Sequence, residues 1–102
     1  MPGRTTWELG LSSAAATRVP RVSVVIPVYN ERATVEEVVK RVQAVALEKE
    51  IVVVDDGSTD GTRDILARLS TDASLRVFLQ DRNRGKGAAL RRGFAESRGE
   101  VI

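Results

Sequence analysis

The chain has no cysteine and no histidine. The first absence excludes disulfides and thiolate chemistry. The second removes imidazole, and the two together rule out Ser-His-Asp triads, Cys-His dyads and metal sites built on either residue. Any catalytic group must be a carboxylate, lysine, tyrosine or hydroxyl. Aromatics are also scarce: Trp7, Tyr29, Phe78 and Phe94 are scattered, which leaves no stacking platform for single-stranded nucleic acid. Neither sign of charge dominates, with 16 basic residues against 14 acidic ones, so no nucleic-acid partner is expected. No apolar run approaches the roughly 20 residues of a membrane span, and the N-terminus carries no sustained apolar segment resembling a signal peptide. The expectation is a cytoplasmic chain without a transmembrane segment, any membrane association being peripheral and at the cytoplasmic face.

What is present suits one small globular domain: 42% apolar and 29% charged residues in a chain of 102. The most informative stretch is Ile51-Val52-Val53-Val54-Asp55-Asp56-Gly57-Ser58, an apolar strand that breaks into two adjacent carboxylates and a glycine turn. Ligands bind at strand ends in open α/β sheets. Neighbouring carboxylates repel each other and lose hydration in a closed site, so such a pair usually serves a donor, a cation or a nucleotide base. The same residues also read as a plain turn, with Asp60 or Ser58 capping the next helix. On these eight residues alone the two readings balance.

Residues 1–20 show no strong periodicity and are expected to form a mobile leader. From Val22 a β-branched run predicts a strand ending at Ile26, stopped by Pro27, with Pro27 to Asn30 as a loop. Val35, Val38, Val39 and Val42 follow helical spacing. Glu36 with Lys40 and Glu37 with Arg41 pair on the outer face, and Thr34 with Glu37 has capping-box spacing. A second strand over 50–55 follows, then a helix capped by Ser58 or Thr59 with Ile65, Leu66 and Leu69 inside, and a third strand over 75–79. A basic, glycine-containing loop over 83–87 leads to a third helix over 88–97, with Leu90 and Phe94 on one side and Gly99 as its stop. Glu100-Val101-Ile102 opens a fourth strand. Alternating strands and helices predict an α/β fold: half of a doubly wound, Rossmann-like parallel sheet with right-handed crossovers, cut within its fourth strand.

Three loops then lie on one rim, at the carboxyl ends of successive strands: Pro27 to Glu31, Asp55 to Ser58, and Asn83 to Gly87. They offer an aromatic ring, three carboxylates, a lysine and glycine-opened backbone N–H groups, a set suited to a flat base joined to phosphates. Lys86 between glycines permits close phosphate approach.

These residues resemble a known family. Val24-Val25-Ile26-Pro27-Val28-Tyr29-Asn30-Glu31, then Val52-Val53-Val54-Asp55-Asp56-Gly57-Ser58-Thr59-Asp60-Gly61-Thr62, then Asn83-Arg84-Gly85-Lys86-Gly87-Ala88-Ala89 are similar to family 2 glycosyltransferases, most of all to dolichol-phosphate and polyprenyl-phosphate sugar transferases. The resemblance covers residues 21–102 and makes them the N-terminal nucleotide-binding part of such an enzyme. It implies a GT-A fold and inverting transfer of a sugar from a GDP-, UDP- or dTDP-sugar donor. It also implies a divalent cation, Mg or Mn, on the diphosphate and a lipid-phosphate acceptor. By position, Pro27, Tyr29 and Glu31 resemble the first nucleotide-contact loop, and Asp56 the carboxylate that accepts from the base ring N–H. Asp55 resembles a turn holder or second contact. Each has a plainer reading: Pro27 as a strand end, Tyr29 as rim packing, Glu31 as a first-turn acid and Lys86 as a solvated charge.

The departures are equally specific. The family's Asp-x-Asp cation motif occurs nowhere in this sequence, since Asp81 is followed at the second position by Asn83, and no acceptor-side base is identifiable. The resemblance thus implies a donor-binding half whose cation ligands lie outside this chain. The alternative is a truncated, noncatalytic binding module. A dinucleotide-binding unit would need Gly-x-Gly-x-x-Gly after the first strand, where Pro27 and Tyr29 stand instead.

Overall fold

A computed structural model describes residues 21–101. The expected leader, 1–20, and Ile102 lie outside the described residues. The elements run β1 (Val22–Val28), α1 (Val35–Ala44), β2 (Lys49–Asp55), α2 (Thr62–Leu69), β3 (Leu75–Leu79), α3 (Lys86–Glu96) and β4 (Glu100–Val101). All strand pairs are parallel and the sheet order is β3-β2-β1-β4. The chain winds outward from β1 to β3, then returns through α3 to the other side of β1. That reversal makes the carboxyl end of β1 a topological switch point, where loops diverge and a crevice opens.

The central strand explains the layering. Ile51, Val52, Val53 and Val54 are all fully buried, as befits a parallel strand covered on both faces. Ile51 and Val53 pack with Val35, Val39 and Leu66 under α1 and α2, whereas Val52 and Val54 pack with Ala89 of α3. On α1 the outer pairs form as the spacing predicts, Glu36 with Lys40 at 3.0 Å and Glu37 with Arg41 at 2.8 Å. Val38, expected inside, is 41% exposed, because Val35, Val39 and Val42 already fill the narrow contact stripe. The Thr34–Glu37 capping box does not form. Thr34 donates its hydroxyl to Glu31 Oε2 at 3.0 Å, and the Glu31 carbonyl accepts the amides of Thr34 and Val35.

Three further expectations are corrected. Strand β1 does not stop at Ile26; it runs through Pro27, opposite Val54, to Val28, opposite Asp55. Val28 faces β2, since its carbonyl accepts the Asp56 amide, so the nitrogen of Pro27 points to the other side. There β4 pairs only with Val22 and Ser23, and no ladder bond is lost. Neither Ser58 nor Thr59 caps α2: Gly61 occupies the cap position at φ +99°, and Asp60 accepts the Thr62 amide at 3.0 Å and the Thr62 hydroxyl. On α3 the inner face is Ala89 and Gly93, not Leu90 and Phe94, and Phe94 is 48% exposed. A Cβ on Gly93 would lie 2.3 Å from Val25 Cγ1, so the helix rides too close to the sheet for a larger side chain. The helix begins at Lys86 and ends at Glu96, and Gly99 serves elsewhere, donating its amide to Ser23 Oγ at 2.8 Å.

At the amino edge of the sheet one buried carboxylate ties several elements together. Glu50 accepts from Ser23 of β1 at 2.6 Å, from Arg76 of β3 at 3.0 Å, and from the Arg98 amide at 2.7 Å just before β4. Burial pushes its carboxyl up. The hydrogen bonds from Ser23, the Arg98 amide and Arg76, with the charge of Arg98, outweigh that and hold it at about 2, against an ordinary 4.5.

Because the folded value lies below the unfolded one, the stability Glu50 contributes is full above about pH 4.5 and is lost as the pH falls toward 2. Urea unfolding across that window is expected to show a loss larger by about 3 kcal/mol in the wild type than in Glu50→Gln. Gly93→Ala is expected to lower stability by about 1–3 kcal/mol, overpacking against Val25 outweighing the gain in helix propensity. Thermal unfolding measures it.

Candidate functional site

The turn after β2 is built by its first carboxylate. Asp55 Oδ2 accepts the amides of Gly57 at 3.1 Å and Ser58 at 2.9 Å and the Arg63 guanidinium at 2.8 Å. Arg63 also donates to the Gln80 carbonyl, which brings the end of β3 alongside. Asp55 is fully buried, and its other oxygen is shut from solvent with no partner among the described residues. It therefore holds the turn and stands outside the cleft described next.

The loop after β1 hangs on that turn. The Asn30 amide donates to Ser58 Oγ at 2.8 Å, Asn30 Oδ1 accepts the Thr59 amide at 2.8 Å, and the Glu31 amide donates to Thr62 Oγ1 at 3.1 Å. The Arg32 amide donates to Asp60 Oδ2 at 3.2 Å. Asn30 sits at φ +50°, a left-handed conformation that asparagine tolerates better than most side chains. The carboxyl of Asp60 is held below its ordinary range, chiefly by the Thr62 hydroxyl. These bonds explain why Ser58 and Thr59 do not cap α2: both are used in fixing Asn30, and through it Tyr29 and Glu31.

The loop after β3 docks on the same turn from the other side. Asp56 Oδ1 accepts the Arg84 amide at 2.8 Å, and Asp56 Oδ2 accepts the Gly85 amide at 3.0 Å. Gly57, at φ +84°, presses against the backbone of Arg82 and Asn83. Gly85 turns the chain at φ +95° into α3, whose first residue is Lys86.

Between these loops lies a cleft of about 290 Å³. Pro27, Val28 and Tyr29 form one wall, Asp56 lies at the base, and Asn83, Gly85, Lys86 and Ala89 form the opposite wall, with Glu31 at the mouth. Tyr29 is 45% exposed and presents its ring, while Asp56 is only 4% exposed. Of the residues singled out from sequence, Pro27, Tyr29, Glu31, Asp56 and Lys86 line this cleft and Asp55 does not. Sequence reasoning did not single out Asn83, Val28 or Ala89. Asn83 stood within the third motif, but nothing in a one-dimensional pattern shows that its side chain turns back onto the Gly85 amide at 3.0 Å.

Among the described residues no group of three carboxylates could hold a metal ion. Asp55, engaged by the turn amides and Arg63, does not line the cleft, which leaves Asp56 and Glu31 as its carboxylates. The described residues do not fit a divalent cation. Among the described residues no helix is long and apolar enough to cross a membrane.

Comparison with known proteins agrees with the geometry. Over 87 residues the chain is 46% identical to an undecaprenyl-phosphate 4-deoxy-4-formamido-L-arabinose transferase of Pseudomonas aeruginosa, covering 79% of this chain and 26% of that protein. It is 38% identical over 93 residues to the enzyme of the same name from Salmonella paratyphi A, covering 85% and 28%. The chain thus spans about a quarter of the length of these relatives. Among solved structures, a mannosyltransferase from Pyrobaculum calidifontis in complex with GDP-Man and Mn2+ superposes with a TM-score of 0.73 at 34% identity, covering 84% of this chain and 27% of that one. Glucosyl-3-phosphoglycerate synthase from Mycobacterium tuberculosis, in complex with Mn2+, UDP and glucosyl-3-phosphoglycerate, gives 0.62 at 35% identity, covering 100% and 38%. Both neighbours are glycosyltransferases, and the parallel sheet with alternating helices corresponds to the amino-terminal half of the GT-A fold. Residues 23–102 match the family described as Glycosyl transferase family 2, and the chain belongs to that family.

Proposed function

We propose that the cleft binds the nucleotide of a nucleotide-sugar donor, and that residues 21–102 are the donor-recognition part of an inverting family 2 glycosyltransferase. The observation that carries this is the convergence of an aromatic ring, a shielded carboxylate and a helix-start lysine on one cleft at the sheet's switch point. Each oxygen of Asp56 accepts one backbone amide, and a carboxylate oxygen has a second lone-pair direction, so a base ring N–H has an acceptor at the floor. The Tyr29 ring covers the base, with Pro27 behind it. Lys86 and the unpaired amides of the first turn of α3 face the diphosphate, where the helix dipole favours negative charge. Glu31 at the mouth accepts from sugar hydroxyls.

The relatives' activity as undecaprenyl-phosphate sugar transferases supports a polyprenyl-phosphate acceptor, which is already a nucleophile and requires no base to deprotonate it. Such an acceptor supports a peripheral location at a membrane, which we propose to be its cytoplasmic face. The neighbours bind Mn2+ with nucleotide ligands, which supports a divalent cation on the donor diphosphate, held by residues other than those described here.

Calorimetric titration with GDP-, UDP- and dTDP-sugars tests the reading. One of them is expected to bind. Tyr29→Ala is expected to weaken it about tenfold or more, the scale of one lost base–aromatic stack. Lys86→Ala is expected to weaken the nucleoside diphosphate while leaving the free nucleoside unaffected. Absence of binding by all three donors, or indifference to both substitutions, would refute it.

A further inference from the structure

We infer that Asp56 is a positioning residue for the loop after β3, so that one carboxylate both floors the cleft and folds the wall that carries Asn83 and Lys86. The inference deepens the donor-binding reading and rests on it for its functional consequence, but its structural core is independent of any ligand.

Three observations carry it. Both oxygens of Asp56 are engaged within the protein, each by one of two successive amides, Arg84 at 2.8 Å and Gly85 at 3.0 Å. Those amides belong to a segment held by little else. Asn83 shares the Gly85 amide, Arg84 pairs with Asp81 three residues away at 3.0 Å, and Gly85 turns at φ +95° with no neighbour within 4 Å of its Cβ direction. The neighbouring Gly57 completes the seat: a Cβ there would lie 2.4 Å from the Asn83 nitrogen and 2.5 Å from the Arg82 carbonyl carbon. The loop therefore lies flat on the Asp56-Gly57 turn and is pinned to it by a buried carboxylate.

The consequence concerns coupling. A base N–H that donates to Asp56 draws on the same carboxylate that fixes the approach to Lys86. Recognition of the base and placement of the phosphate-facing wall then act together, not as independent subsites. A substitution at Asp56 removes more than a single ligand contact.

Amide hydrogen exchange on the ligand-free protein reads the clamp directly. The Arg84 amide is diagnostic, since Asp56 Oδ1 accepts it, whereas the Gly85 amide is shared with Asn83. In Asp56→Ala the Arg84 amide is expected to exchange about tenfold faster or more, with the amides of Val52 to Val54 unchanged. Asp56→Asn keeps one acceptor oxygen and is expected to restore much of that protection while still weakening whichever of GDP, UDP and dTDP binds. That split separates the loop-holding role from the charge. Gly57→Ala, outside the cleft lining, is expected to expose the Arg84 amide in the same way with Asp56 intact. Unchanged Arg84 exchange in Asp56→Ala overturns the inference whatever the protein does with nucleotides. A clamp seen by exchange in a protein that binds none of GDP, UDP and dTDP overturns the donor-binding reading alone.

Discussion

The structure depends on the tight turn that follows β2. Asp55 closes it by gathering two turn amides and one arginine onto a single buried oxygen, and every other part of the cleft is measured from there. The loop after β1 is bonded to Ser58, Thr59, Asp60 and Thr62, and the loop after β3 to Asp56. Among the described residues no hydrogen bond joins the two outer loops to each other. Each is referenced to the central turn, which itself extends the most deeply buried strand of the sheet. Loops at a surface are ordinarily the mobile part of an α/β domain. Here they are pre-ordered by side chains of the central loop, which lowers the ordering cost when a ligand binds.

Strand β2 carries a buried carboxylate at each end of its apolar run, Glu50 before Ile51 and Asp55 after Val54. Both are paired with arginine, Glu50 with Arg76 and Arg98, Asp55 with Arg63. Taking such charges out of water is costly, and removing one partner leaves an uncompensated charge. The arrangement therefore favours specificity of register over raw stability. A one-residue slip of β2 would bury both carboxylates away from their donors and turn Val52 and Val54 to the wrong face. The amino-edge cluster fixes the sheet, and the carboxyl-edge turn fixes the site.

The order of elements and the shared rim of the three loops were legible in the sequence because both follow from periodicity and punctuation. The β-branched runs, the valine spacing of α1 and the Asp-Asp-Gly break are local signals. What was not legible depended on distances between elements. Leu90 and Phe94, the larger apolar residues of α3, were placed together on one side of the helix, yet the close approach of Gly93 to Val25 makes small residues the face that meets the sheet. Pro27 read as a terminator, although its missing N–H falls on the side of β1 that β4 leaves unpaired. Ser58 and Thr59 had the composition of caps, but a loop 28 residues or more earlier in the chain claims them. Asp55 was expected as a turn holder or second contact, and its amide and arginine bonds show it holding the turn, while Asp56 alone of the two lines the cleft.

Membership of glycosyl transferase family 2 gives this cleft its chemical meaning, and the described residues define its share of that chemistry. They bring a shielded carboxylate, an aromatic ring and a lysine to one cleft, and among the described residues no group of three carboxylates could hold a metal ion. The most direct test of the account is a crystal structure of the protein with UDP or GDP bound. The account predicts the base against Tyr29 with a ring N–H on Asp56, the diphosphate toward Lys86, and the Arg84 and Gly85 amides still on the Asp56 carboxylate. A nucleotide bound elsewhere, or one seated here with the loop after β3 released from Asp56, would contradict it.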